Sequence, residues 1–200
     1  MADQPITVGR VLRSSTAGFA IGCRAPLGVR EDVPQFGAFV QVAQGNYEIT
    51  GLIYDVQFVD DPLVRQIIAA DSMPEELRQD QSQRLAPVEI SVLVVGFTRD
   101  GRVYQHLPPQ PPETLDEIFT CTSGEVAAFT REFTFLRTIL NAKEAPSDEL
   151  VAACLRTAAV ARLEAERRPF LLQAGRELAR LLAGDPVRLE GILRRIKPQQ

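Results

Sequence analysis

The sequence predicts an α+β protein in which a small N-terminal antiparallel β-barrel with a helical insertion precedes a C-terminal α-helical bundle. Short apolar runs separated by glycines fill the first hundred residues, a pattern typical of twisted strands with bulges and corners. Beyond a proline-rich segment, apolar residues instead recur every three or four positions, as in amphipathic helices. The 200 residues are 45% hydrophobic and 24% charged, which is enough apolar material for a packed core.

Six segments of the first half have the composition and periodicity of strands. They are Thr7–Arg13, Gly18–Arg24, Phe36–Val42, Tyr47–Val56, Ile90–Phe97 and Val103–Leu107. Gly45-Asn46 and Asp100-Gly101 predict hairpin turns, because Gly, Asn and Asp tolerate positive φ. The segment Ile90–Phe97 is almost continuously apolar, so we expect both of its faces to be covered.

The two predicted hairpins enclose an insertion with two segments of helical pattern, Pro62–Ala70 and Glu75–Arg84. The first has a one-sided apolar stripe that includes Leu63, Ile67 and Ile68. The second is almost wholly polar, so we expect it to be exposed to solvent.

The clearest boundary is the segment Leu107–Glu113, in which four of five consecutive positions are proline. Such a run favours an extended polyproline II spacer. It predicts a division into a barrel domain, residues 1–110, and an α-helical domain, residues 111–200.

Start signals after this boundary predict four helices. Thr122 and Glu125 form a capping box, and Ser147 is an N-cap candidate followed by two acidic residues. Pro169 marks the start of a third helix, and Asp185-Pro186 marks the start of a fourth. Because each carries one apolar stripe, the four helices are expected to form a small bundle.

The stretch from about Ile6 to about Pro112 contains a series of glycine-rich strand motifs in a fixed order. These motifs are Val8-Gly9-Arg10-Val11, Phe19–Cys23, Gly37–Val42, Gly51–Val56 and Val92–Phe97, followed by the pair Pro108-Pro109. In this order they resemble the HAS-barrel, the N-terminal β-barrel of HerA-type ATPases and of rotary ATP synthase subunits. The resemblance covers a little over half of the chain.

The resemblance implies a non-catalytic barrel that helps subunits assemble into rings. Family members with a motor carry a phosphate-binding loop after the barrel, whereas this sequence contains no Gly-x4-Gly-Lys-Ser/Thr run. We therefore expect a non-enzymatic assembly or adaptor module without catalytic residues or cofactors. Its expected partners are a second copy of the chain or a HerA-type hexameric ATPase, reached through the barrel.

Residues able to support catalysis or metal binding are few. His106 is the only histidine and lies at a predicted strand end, so we interpret it as a partly exposed structural residue. One histidine and three scattered cysteines cannot supply the ligands of a zinc site. Cys23 and Cys154 are predicted core residues, whereas Cys121 alone is expected to be accessible, with an inert thiol favoured over a reactive one.

Charge is unevenly distributed along the chain. Residues 1–146 carry 12 Lys and Arg against 19 Asp and Glu, whereas residues 147–200 carry 10 against 7. The basic last helix suggests an alternative function, a nucleic-acid-binding accessory protein, while the acidic first half argues against it. The candidate contacts for nucleic acid or a partner are Arg188, Arg194, Arg195 and Lys197.

The sequence contains no apolar run near the ~20 residues that a membrane-spanning helix needs. Its first residues lack the basic and apolar regions of a secretory signal, and its cysteines do not form a disulfide framework. A cytoplasmic location without membrane contact is therefore expected.

Overall fold

The computed structural model describes residues 4–26, 34–58 and 85–197, and these form a β-barrel followed by helices. The strands are β1 (Thr7–Ser14), β2 (Gly18–Pro26), β3 (Phe39–Gln44), β4 (Tyr47–Phe58), β5 (Leu85–Arg99), β6 (Arg102–Tyr104) and β7 (Glu117–Thr120). The helices are α1 (Ser123–Phe129), α2 (Phe135–Asn141), α3 (Ser147–Val160), α4 (Glu164–Leu181) and α5 (Pro186–Ile196). The insertion predicted to contain two helices, over residues 62–84, lies outside the described residues.

Six antiparallel strands close the barrel in the order β2-β1-β7-β3-β4-β5, and β5 pairs back to β2. The sixth predicted strand, β6, is not part of the closed ring but extends it as a hairpin on β5. Both predicted hairpin turns are confirmed, since Gly45, Asp100 and Gly101 all have positive φ. The prediction of an α+β chain with an N-terminal barrel and C-terminal helices is confirmed at this level.

Alternating side chains fill the barrel interior completely with apolar groups. Val11, Ile21, Val40, Ile49 and Ile118 are all 0% or 1% exposed and belong to one cluster inside the barrel. On β5, alternate residues point to this interior and to the helices outside it. The prediction that both faces of this strand are covered is therefore confirmed except at Ser91, which is partly exposed.

A strand beyond the proline-rich segment completes the barrel. The strand β7 lies between β1 and β3, so the prediction that the chain is wholly helical after this segment is wrong at Glu117–Thr120. The proline-rich segment is also not a free spacer, because Pro108 and Pro112 are buried. It lies across the barrel, where the Tyr47 hydroxyl donates to the carbonyl of Gln110 at 3.2 Å. The division into domains 1–110 and 111–200 stays a prediction about independent folding, while the sheet extends to Thr120.

Between residues 123 and 196 the structure has five helices where the sequence predicts four, because the first predicted helix is broken after Phe129. The capping box of Thr122 and Glu125 is present and begins α1. At the break, the Gln105 side-chain amide donates to the carbonyl of Phe129, and its oxygen accepts from the amide of Phe135. A barrel residue thus satisfies the end of α1 and the start of α2, which an unbroken helix would not need.

Two other predicted helix starts are shifted. Ser147 is the first residue of α3 rather than its N-cap, which is Pro146, and its hydroxyl accepts a hydrogen bond from Arg188. Pro169 lies inside α4, which begins five residues earlier at Glu164. The start at Asp185-Pro186 is confirmed, since the Asp185 carboxylate accepts from the Arg188 amide.

The helices share a core with the outer face of the barrel. Phe39, Leu52, Leu93 and Val95 point outward from their strands into a cluster with buried residues of α1 to α5. The central helix α3 contributes seven buried residues to this cluster. The close approach of α3 to the barrel depends on Gly37, which has a φ of +82°. A Cβ atom at this position would overlap the Cβ of Ala153 on α3.

Replacing Gly37 with Ala should therefore destabilise the protein more than replacing Gly45, a matched glycine that also has positive φ but no atom within 4 Å of a built Cβ. Both changes incur left-handed backbone strain of roughly 1–2 kcal/mol. Gly37→Ala should add about 1–3 kcal/mol from overpacking against α3. Urea unfolding of both variants measures the difference. Equal losses of stability would contradict the proposed contact between the β3 entry and α3.

Candidate functional site on the barrel surface

A surface hollow lies on the outer face of the barrel, along the seam where β2 pairs with β5. One part has a volume of about 330 Å3, and a second part of about 310 Å3 adjoins it on the same two strands. Small residues form the floor of both parts: Gly18, Ala20 and Ser91 in the first, and Gly22 in the second. We call this surface the seam trough.

Two β-bulges shape the walls of the seam trough. Leu12 on β1 and Tyr54 on β4 are the extra residues at shifts in the strand register. Without the first bulge, strict alternation after buried Val11 would turn Arg13 into the apolar interior. The bulge instead places Leu12 and Arg13 on the outside, and bulges commonly redirect side chains next to functional sites.

An ion pair divides the seam trough. Arg13 lines the first part and Glu89 the second, and the Arg13 guanidinium donates to the Glu89 carboxylate. This hydrogen bond lowers the pKa of Glu89 and raises that of Arg13. Leu12, which is 49% exposed, packs over Gly22 and adds an apolar rim. The trough therefore combines a flat small-residue floor with one fixed pair of charges.

The four predicted contact residues of the last helix divide into two pairs. Arg188 donates to the Asp148 carboxylate at 2.7 Å, and Arg195 donates to that of Glu149. Both carboxylates lie in the first turn of α3, so these two arginines attach α5 to the helical core. Arg194 is exposed, 3.9 Å from Glu190 on its own helix, and Lys197 is exposed just after α5. The structure does not bring the four side chains together on one surface.

Of the other residues singled out in the sequence, His106 is exposed and contacts the ring of Phe97 at 5.2 Å between centroids. Cys154 is buried as predicted, whereas Cys23 and Cys121 are both partly buried, so Cys121 is not uniquely accessible. Burial raises the pKa of the Cys121 thiol, and the carboxylates of Glu125 and Glu48 raise it further. In the described ranges, no group of three or more His, Cys, Asp or Glu could hold a metal ion.

Sequence reasoning missed the seam trough, since its walls depend on register shifts that leave the apolar pattern unchanged. The available sequence signal was the small residues Gly18, Ala20 and Gly22 at alternate positions of β2.

Within residues 4–26, 34–58 and 85–197, no helix is both long and apolar enough to cross a bilayer. Comparisons with protein-family models and with curated proteins gave no match to this chain.

The ion pair in the seam trough should make stability depend on pH. The pKa of Glu89 is lower in the folded state than in the unfolded state, where it is about 4.3. The ion pair therefore contributes to the free energy of unfolding above this pH, and this contribution is lost as the pH falls through the folded-state pKa. Glu89→Gln should therefore be less stable than the wild type at pH 7, with the difference shrinking towards pH 3. Urea unfolding at both pH values tests this, with exposed Glu113→Gln as the control. A difference that persists unchanged at pH 3 would contradict the role assigned to Glu89.

The three cysteines should react slowly with a thiol reagent in the folded protein. Burial raises the pKa of Cys23, Cys121 and Cys154, which depletes the reactive thiolate. Labelling with a disulfide reagent at pH 8 should be at least about tenfold slower without urea than with it, since each unit of pKa removes a factor of ten in thiolate. Cys121→Ser identifies that thiol, and rapid native labelling at Cys121 would contradict the expectation.

Proposed function

We propose that this protein is a non-enzymatic assembly or adaptor module that uses the seam trough to contact a second copy of the chain or the barrel of a HerA-type hexameric ATPase. The observation that carries the proposal is a closed barrel whose interior is filled, while among the described residues one outer face is not covered by the helices. The proposal includes two structural points: the barrel is of the HAS-barrel type, and the helices are arranged as a bundle.

Because the barrel interior is filled, the outer surface of the barrel is the part available for binding. Apolar side chains from all six ring strands occupy the space inside the barrel, in contrast to barrels that bind ligands in a central cavity. Closure also pairs the ring strands on both sides, which removes their free edges. For the ring strands, contact with a partner is therefore expected through side chains and small-residue faces outside the barrel, whereas β6 pairs only with β5 and keeps one free edge.

Two outer faces differ in their accessibility. The face carrying Phe39, Leu52, Leu93 and Val95 is buried under the helices. The seam trough lies on the same sheet, and of the described residues that follow the barrel only Glu144, between α2 and α3, lines it. Its small-residue floor allows a partner backbone to approach closely, and its mixed rim resembles the polar margin of protein interfaces.

Charge favours a second copy as the occupant. Residues 1–146 have a net charge of −7 and residues 147–200 have a net charge of +3. Copies arranged head to tail would bring the acidic barrel of one near the basic helices of the next. Such heterologous contacts form a ring when the rotation closes, which agrees with the assembly role that the HAS-barrel resemblance implies.

Ser91→Arg should disrupt this association, because it places an unpaired charge on the floor of the seam trough. Light scattering across a concentration series should give a multiple of the 22.1 kDa chain mass for the wild type. The variant should associate at least about tenfold more weakly, a change of about 1.4 kcal/mol.

The matched control is Ala43→Arg, a small exposed residue on the outer face of β3, away from the seam. It should leave the mass distribution unchanged. A wild-type protein that stays monomeric and does not bind a purified HerA-type barrel would overturn the proposed function. Equal effects of the two arginines would reject the seam trough as the contact surface.

A further inference from the structure

A second cleft, within the helical region, is lined by three arginines from three different helices. It lies between α2, α4 and α5, has a volume of about 500 Å3, and is lined by Arg137, Arg180 and Arg188, with Glu177 as the only carboxylate in the lining. Leucines from the same helices form its apolar part. We call it the arginine cleft.

Two of the three guanidinium groups are held in place by carboxylates. Arg188 donates through Nε to Asp148 and through Nη2 to the Leu140 carbonyl and the Ser147 hydroxyl. Arg180 donates through Nε and Nη2 to Glu177, at 3.0 and 2.6 Å. Because a guanidinium has five donor hydrogens, these contacts fix each group while its Nη1 hydrogens stay available.

The remaining polar groups of the cleft have no internal partner. Among the residues that the structure describes, no hydrogen bond or ion pair involves the guanidinium of Arg137, and none involves the hydroxyl of Thr134 or the amide of Asn141. Thr134 occupies the N-cap position of α2 without capping it. Three free donors therefore lie on the wall of a cleft that already contains two oriented cations.

We propose that the arginine cleft binds a phosphate group. Glu177 and Asp148 hold two of its guanidinium groups, whereas the guanidinium of Arg137 has no carboxylate partner among the described residues and its charge is available to an anion. Donors on three helices suit the several oxygens of a phosphate better than a single carboxylate, which one guanidinium fork can satisfy alone. The volume is in the range of sites for small organic ligands, about 300–1,000 Å3.

The phosphate can belong to a small phosphorylated compound or to a nucleic-acid backbone. The chemistry of recognition is the same, so the experiment separates the sources by using two probes. This proposal does not depend on the seam trough, which lies on the barrel.

Isothermal titration calorimetry of the full chain with inorganic pyrophosphate, in 50 mM salt, tests the site directly. We expect binding that Arg137→Ala weakens at least about tenfold, since one charge-assisted hydrogen bond to an exposed ligand is worth that much. The matched control is Arg168→Ala on α4, another exposed arginine that has no partner among the described residues and lies outside the cleft. It should leave pyrophosphate affinity within about twofold.

A second titration uses a 20-nucleotide single-stranded oligonucleotide. Binding of pyrophosphate with the Arg137 dependence supports the cleft and a small phosphate ligand. Oligonucleotide binding with the same dependence supports the cleft and a phosphodiester source. Absence of binding for both probes, or equal weakening by the two alanine variants, overturns the proposal. Arg137 is exposed, so the variant should fold, and circular dichroism checks this independently.

Discussion

The core shared by the helices and the outer face of the barrel is the contact on which the arrangement of the molecule depends. The buried side chains of α3 include Ala152, Ala153 and Cys154, which are small enough to let this helix lie close to the segment that leads into β3. On the barrel side, Gly37 has no side chain and so also allows the close contact. Since apolar residues from both halves form one cluster, the barrel and helices share a core, and this decides which outer face of the barrel stays accessible.

Barrel closure adds a second constraint. The strand β7 follows the proline-rich segment and fills the gap between β1 and β3, so the chain must cross the barrel before it can close the ring. The hydroxyl of Ser14 donates to the Pro112 carbonyl at 2.7 Å, and that of Tyr47 donates to Gln110. These contacts tie the crossing segment to the strands on either side. A fold closed in this way leaves its outer face and its helices for interaction.

Local signals in the sequence predicted the elements that depend on local chemistry. The hairpin turns, the capping box at Thr122 and the strand β5 covered on both faces follow from turn residues, a cap and an apolar run. The break after Phe129 was not predictable, because it depends on Gln105, which is distant in sequence. The strand β7 was missed because four residues after a proline run give too little periodicity to identify. The bulge at Tyr54 leaves no compositional trace.

The positions of the basic side chains could be predicted only in part from the sequence. Spacing of seven residues already places Arg188 and Arg195 on one helical face, away from Arg194. The sequence could not show that Asp148 and Glu149 lie opposite this face, so that carboxylates of α3 hold both guanidinium groups in place. Nor could it show that Arg188 meets Arg137 and Arg180 from other helices. Charge on one helix suggested a basic surface, but tertiary structure determines which charges share a site.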